Sequence, residues 1–238
     1  MMTKVLIINN EKDRTNLGLA PKIQKSLTRG DRTSFDILHY SDISSKKIKD
    51  IDPHMVFLTG RLTYAGDVEE DAYAAELAMI RESDIPLFGI CLGHQLIATA
   101  HGATLGRMFE TSEYEEDIRE EGFVEMNIRL RDPIFSGIHN PFMAYEYHLE
   151  EVKEVPEHFE LLASSQMCEV QAIRHKEKLI YGVQFHPEAY NQLFPAGEMI
   201  LQNFYDLARP KTIFHIPGIQ PTLTDYDDFD AVPIEESM

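Results

Sequence analysis

Two short stretches of the sequence hold the residue types that acyl transfer at a carbonyl needs. The first is Gly89-Ile90-Cys91-Leu92-Gly93-His94-Gln95, preceded by the apolar Pro86-Leu87-Phe88 and followed by helix-forming residues up to Gly102. A strand, a sharp Gly-x-Cys-x-Gly turn and then a helix lift a nucleophile clear of a sheet, and the positive end of the helix favours the thiolate. The second stretch is His186-Pro187-Glu188, delivered by the strand-like Leu179-Ile180-Tyr181-Gly182-Val183-Gln184-Phe185. Proline pushes His186 toward extended backbone, where residues two apart share a side, so Glu188 is expected to reach the imidazole. A thiol, an imidazole base and a carboxylate that orients the base make a triad for nucleophilic catalysis. Each stretch alone has a plainer reading: a buried cysteine behind a buried strand, and a surface turn. Their presence in one chain favours the joint one.

The elements around them read as alternating strands and helices. Val5-Leu6-Ile7-Ile8, Phe35-Asp36-Ile37-Leu38-His39-Tyr40 and Met55-Val56-Phe57-Leu58 are strand-like, the first and third as continuous apolar runs suited to strands buried on both faces. Helices are expected over 16–27, with Pro21 near the first turn, and over 67–82, with Tyr73, Ala74, Leu77 and Ile80 on one face. This order predicts a doubly wound α/β domain with ligands at the carboxyl ends of its strands, where Thr59-Gly60-Arg61 and Cys91 fall. Beyond Gly102 the rhythm changes to short strands over 123–130, 160–163, 169–174 and 179–185, which suggests added antiparallel hairpins. A last helix is expected over 197–208. The chain thus divides into a domain over 1–208 and a proline-containing acidic tail over 209–238 with little means of forming a core.

The 238 residues suit one domain, and a formal charge of −18 opposes binding to nucleic acid or anionic membranes. The two cysteines, Cys91 and Cys168, read as free thiols, Cys168 as an inert one, and no run is long enough for a signal peptide or membrane span. A cytoplasmic protein is expected. His94 and His101 read as packed or solvated, the acidic run 113–121 as solvated, and no cluster shows metal-ligand spacing.

At its two motifs the sequence resembles the class I glutamine amidotransferases, whose signatures are a Gly-x-Cys-x-Gly-His-Gln elbow and a Gly-Val-Gln-Phe-His-Pro-Glu strand end, here at 89–95 and 182–188. The likeness extends more loosely over 4–208 and is strongest to the glutaminase domain of GMP synthetase. It implies a flavodoxin-like fold, no cofactor, and attack of Cys91 on the side-chain amide of glutamine. His186 would protonate departing ammonia, Glu188 would orient His186, and water would hydrolyse the thioester. It further implies an oxyanion hole from the backbone N–H of Leu92 and the turn Thr59-Gly60-Arg61, where Arg61 stands in place of the family's second glycine. A side chain there is awkward if the position needs positive φ. Gln95 matches a substrate-contacting glutamine, and Tyr147 and His148 lie in the segment that holds the amino-acid end of the substrate, although His148 also reads as a structural histidine.

No second domain or nucleotide-binding loop is recognisable, so ammonia would pass to a separate synthetase or ligase, with the acidic tail as one docking element. An alternative is a stand-alone hydrolase of γ-glutamyl peptides or amines, with Arg61 pairing a carboxylate on the leaving group. A catalytically silent regulatory module is a third, disfavoured by the complete Cys91, His186 and Glu188 set.

Overall fold

The computed structural model describes residues 2–28, 32–61, 70–108 and 119–210. The expected tail over 211–238, the start of the helix over 67–69 and most of the acidic run, 113–118, lie outside the described residues. The first strand, β1 (Thr3–Asn9), is buried throughout its centre on both faces: Val5 and Ile7 join one apolar cluster and Leu6 and Ile8 the other. That split is the physical meaning of its unbroken aliphatic run. Around it lie α1 (Ala20–Leu27), β2 (Thr33–His39), α2 (Ser45–Ile51), β3 (Met55–Leu58), α3 (Glu70–Glu82), β4 (Leu87–Ile90) and α4 (Leu92–Ala100). Pro21 is the second residue of α1, where its missing N–H has no partner to lose.

The second half adds β5 (Leu105–Arg107), β6 (Glu120–Ile128), β7 (Phe142–His148), β8 (Glu150–Val152), β9 (Phe159–Ser164), β10 (Ala172–His175), β11 (Ile180–Val183) and α5 (Ala196–Ala208). The nine-stranded sheet runs β2-β1-β3-β4-β11-β10-β9-β6-β7, and β5 pairs with β8 separately. Its first five strands are parallel and the remaining ladders antiparallel. This is the doubly wound, mostly parallel sheet with antiparallel additions that the element order predicts. Phe204 of α5 packs edge-on against Phe57 on one face, while Leu77 and Ile80 of α3 and Leu96 of α4 fill the other.

Four elements were not expected. The helix α2 has no fully buried residue and is started instead by Ser44, whose side chain accepts from the Lys47 N–H at 3.2 Å. Strands β5 and β8 are three residues each, too short to show a period. Strand β7 does alternate, burying Phe142, Ala144, Glu146 and His148, but two of the four inward residues are ionisable and disguise the pattern. Among the described residues no helix is long and apolar enough to cross a membrane.

Candidate active site

Strand β4 ends at Ile90, and the next residue, Cys91, has a φ of 49° and a ψ of −104° that place it in a strained turn between strand and helix. Strain at a non-glycine residue persists where surrounding contacts over-determine it. Here the Cys91 N–H donates to the Val183 carbonyl at 2.8 Å, and the Cys91 carbonyl accepts from Gln95 N–H at 3.0 Å to open α4. The flanking glycines serve close approach rather than unusual φ. A β-carbon at Gly93 would collide with the Leu58 carbonyl, and one at Gly89 with the backbone of Gly93.

Strand β11 lies parallel to β4 with Gly182 opposite Gly89 and Val183 opposite Ile90, so its continuation emerges beside Cys91. Just beyond, the His186 N–H donates to the Tyr145 carbonyl at 2.7 Å, which fixes the residue against β7. The imidazole Nδ1 lies 2.9 Å from Glu188 Oε1, with His186 1% and Glu188 2% exposed. The expected pairing is present, but by a different geometry. Glu188 sits in a one-turn 3-10 helix, Pro187–Ala189, and not in extended chain. Proline at a first helical position has its φ already set for a helical turn, and that turn brings Glu188 back over the ring.

Burial, the largest single influence on His186, disfavours its charged form, yet the Glu188 carboxylate and the Cys91 sulfur outweigh it and hold the ring well above the ordinary histidine range. Nδ1 is engaged with the carboxylate, and Nε2, with no hydrogen-bond partner among the described residues, is left for a reacting group. The sulfur also receives the Gln184 side-chain amide at 3.5 Å and lies 3.9 Å from the Tyr147 carbonyl.

The turn after β3 touches both members of the pair. A β-carbon at Gly60 would stand 2.8 Å from His186 Cε1 and 3.1 Å from Cys91 Cβ. Behind it, Asn10 N–H donates to Thr59 Oγ1 and Asn10 Nδ2 to the Thr59 carbonyl, both at 3.0 Å, and Asn10 Nδ2 also reaches Glu76 Oε1 at 3.3 Å. Glu76 is fully buried, and burial pushes it up to about 8 against the opposing Asn10 bond. Among the described non-glycine residues, positive φ occurs at Asp52 and Cys91, so Arg61 does not carry the strain its position suggested. Its Nη1 donates to the Tyr73 hydroxyl at 3.2 Å. Leu92, as the first residue of α4, leaves its N–H without an intrahelical acceptor.

The three residues expected to contact substrate are placed differently from one another. Gln95 is 5% exposed and spends its amide donors on the Glu150 carbonyl at 2.8 Å and Gln184 Oε1 at 3.1 Å, thereby supporting the Gln184 that touches the sulfur. Tyr147 presents its carbonyl to Cys91, while its hydroxyl accepts from Arg119 at 3.0 Å. His148 is buried with both ring nitrogens engaged, Nδ1 on the Glu150 carbonyl at 3.0 Å and Nε2 against Glu120 at 3.1 Å and Glu146 at 3.3 Å. His94 is wholly buried, and burial pushes it down to about 3. Cys168 is buried as well, its thiol pushed up by burial and by Glu151.

Sequence reasoning missed Gln184, Asn10, Glu76, Glu120 and Glu146. Gln184 lies inside the strand-end motif, and Glu146 shares the inward phase of β7 with His148, so both had a signal. Burial raises Glu146 well above the carboxylate range, and the Glu120 charge adds to it. The fold also brings Glu120, Glu146 and His148 within 4.8 Å of one another, a grouping with no metal-ligand spacing in sequence.

The family model "Glutamine amidotransferase class-I" matches residues 23–207. The chain is 36% identical over 169 residues to a glutamine-hydrolysing GMP synthase subunit of Methanobrevibacter smithii, covering 71% of this chain and 80% of that one. To the protein of the same name from Methanococcus vannielii it is 44% identical over 122 residues, 51% of this chain and 59% of the relative. Among solved structures, a GMP synthase subunit protein from Thermoplasma acidophilum superposes with a TM-score of 0.70 at 26% identity, over 87% of this chain and 94% of that one.

Proposed function

The chain belongs to the class I glutamine amidotransferase family, and from that premise we propose that it hydrolyses the side-chain amide of glutamine and passes the ammonia to a separate synthetase subunit of GMP-synthase type. The observation that carries the chemistry is the burial of Cys91, His186 and Glu188 at the ends of the paired strands β4 and β11, with the imidazole 2.9 Å from its carboxylate and raised, against burial, by Glu188 and the Cys91 sulfur.

In this reading the Cys91 thiolate attacks the amide carbon of glutamine, and the carbonyl oxygen becomes an oxyanion. The N–H groups of Leu92 and of the Gly60-Arg61 turn receive that charge, each donor in comparable acyl-transfer sites being worth about 3 kcal/mol. His186 gives its proton to the departing nitrogen, ammonia leaves and a thioester remains. The ring, now neutral, takes a proton from water as its oxygen attacks the thioester. A second oxyanion collapses, glutamate leaves, and Cys91 returns as thiolate beside protonated His186. Glu188 orients the ring and stabilises its charge throughout. A nucleophilic thiol that must stay reduced suits the cytoplasm. Glutamine is favoured over a longer γ-glutamyl compound because the chain is similar over most of its length to a glutamine-hydrolysing GMP synthase subunit.

The test is glutamate release from glutamine and from γ-glutamyl peptides by the isolated protein and by Cys91→Ala, repeated with an added GMP-synthase partner subunit. Release from glutamine, abolished in the variant and stimulated by the partner, is expected. Turnover of the peptides in preference to glutamine, with no response to the partner, would replace this function with that of a stand-alone hydrolase.

A further inference from the structure

On the inward side of the β6–β7 pair lies a polar cluster that the acyl-transfer steps do not use. The antiparallel register sets Glu120 of β6 directly opposite His148 of β7, and Glu146 follows two residues away with the same inward phase. All three are buried, at 3%, 0% and 5% exposure for Glu120, Glu146 and His148. We propose that Glu120, Glu146 and His148 bind a divalent first-row transition-metal ion, at a site distinct from the Cys91 thiol.

The imidazole fixes the sign of what the site must hold. Nδ1 faces the Glu150 carbonyl at 3.0 Å, and a carbonyl only accepts, so Nδ1 carries a hydrogen. In the neutral ring Nε2 is then a bare lone pair, and it points at two more acceptors, Glu120 Oε2 at 3.1 Å and Glu146 Oε2 at 3.3 Å. Three acceptors converging at such distances need a metal ion or a shared proton between them. Metal bonds of about 2.0–2.2 Å to nitrogen and carboxylate oxygen put neighbouring ligands roughly 3.0–3.5 Å apart, the range of the two nitrogen–oxygen distances, and all three ligand atoms lie within 4.8 Å of one another.

Gln171 borders the same cluster and adds an unpaired acceptor to it. It is fully buried, and its Nε2 donates to Glu120 Oε2 at 3.0 Å and Ser165 Oγ at 3.2 Å, yet its Oε1 has no hydrogen-bond partner. Neither oxygen of Glu146 accepts a well-directed hydrogen bond. Ser165 already donates to the remaining oxygen of Glu120 at 3.0 Å. The cluster is thus rich in acceptors and poor in donors. Among the described residues no lysine or arginine forms an ion pair with Glu120 or Glu146. Two buried carboxylates without such a partner are costly unless a cation or protons neutralise them. An imidazole with two carboxylates is a donor set for zinc, manganese or iron, and the contacts from Ser165, Gln171 and the Glu150 carbonyl supply the outer hydrogen bonds that orient such ligands.

The competing occupant is a proton shared among His148 Nε2, Glu120 and Glu146, and metal analysis separates the two. Tag-free wild-type protein, stripped with chelator and with Cys91 alkylated, is dialysed against micromolar Zn²⁺ or Mn²⁺ and its metal content measured. About one equivalent should be retained, with a thermal midpoint raised by several degrees, and His148→Asn and Glu146→Gln should each weaken binding about tenfold or more. Zinc X-ray absorption on the wild type should show nitrogen and oxygen neighbours only. Failure of the wild type to retain metal would overturn the proposal and leave a shared proton as the occupant of the cluster. So would undiminished retention by both variants, or a zinc-sulfur shell. The wild-type measurements decide the matter even if a variant does not fold.

Discussion

The ring of His186 occupies the space that a side chain at Gly60 would need. A β-carbon there would be 2.8 Å from Cε1 of the ring, well inside van der Waals contact, and 3.1 Å from Cβ of Cys91. The ring cannot retreat, because Glu188 holds it at 2.9 Å and His186 is only 1% exposed. Gly60→Ala should therefore lower the glutaminase kcat about 100-fold, since displacements of about 1 Å at a reacting group cost that much. Steady-state glutamate release, read beside a thermal melt, checks it. A full rate in the alanine protein would show that the turn yields instead of the ring.

Glu188→Gln keeps the shape of the carboxyl group and removes its charge. With His186 raised in the folded protein above its unfolded value of about 6.5, the native state holds an extra proton between that pH and the folded value. The associated stability is fully present below about pH 6.5 and is lost as pH rises through the folded value. The glutamine variant should consequently lose the most stability near pH 6 and progressively less toward pH 10, while kcat falls about 100-fold or more. Urea midpoints at several pH values give the sign directly, and a constant difference across the range would remove His186 as its source.

How far these relationships could be read beforehand depends on range. Val5 to Ile8 and Met55 to Leu58 announce buried parallel strands because every residue obeys one rule, and the Cys91 and His186 motifs are compact enough to be seen whole. The Glu188 contact was legible, but its route through Pro187–Ala189 was not, because a proline can equally extend a chain or open a helical turn. Asn10, Thr59 and Glu76 could not be joined from sequence at all, since they meet across 49 and 66 residues of chain. The same holds for Glu120 and His148, 28 residues apart and opposite each other only once β6 and β7 pair in register. At Arg61 the sequence left strain and tolerance both open, and the backbone decides it: among the described non-glycine residues positive φ occurs at Asp52 and Cys91 and not there.

His94 should govern part of the acid limb of stability. Burial pushes it down to about 3, against about 6.5 in an unfolded chain, so the native state binds fewer protons over that interval. Its contribution is present above about pH 6.5 and is lost as pH falls toward 3. His94→Gln, which cannot titrate, should flatten the decline of urea midpoint between pH 6 and pH 4, whatever its effect at neutral pH. An unchanged slope would mean that other groups carry the acid sensitivity.

Glu76 gives the opposite sign and bears on the catalytic turn. Its folded value near 8, against an ordinary 4.5, means that the native state keeps a proton on this buried carboxyl between those values. That stability is complete below about pH 4.5 and is lost as pH rises through about 8. Glu76→Gln should match the wild type near pH 4.5 and exceed it at pH 9 by a few kcal/mol, at about 1.4 kcal/mol for each pH unit of the interval. The same carboxyl lies 3.3 Å from the Asn10 amide that holds the Thr59 carbonyl, so its ionisation acts on the segment leading to Gly60. Asn10→Ala releases the Thr59 carbonyl and leaves the backbone bond to the Thr59 hydroxyl in place. It should lower kcat about tenfold with little change in KM, because in the proposed mechanism the loosened turn supplies an oxyanion donor and not ground-state binding. If the loss fell on KM instead, the network would serve the substrate site and not the turn.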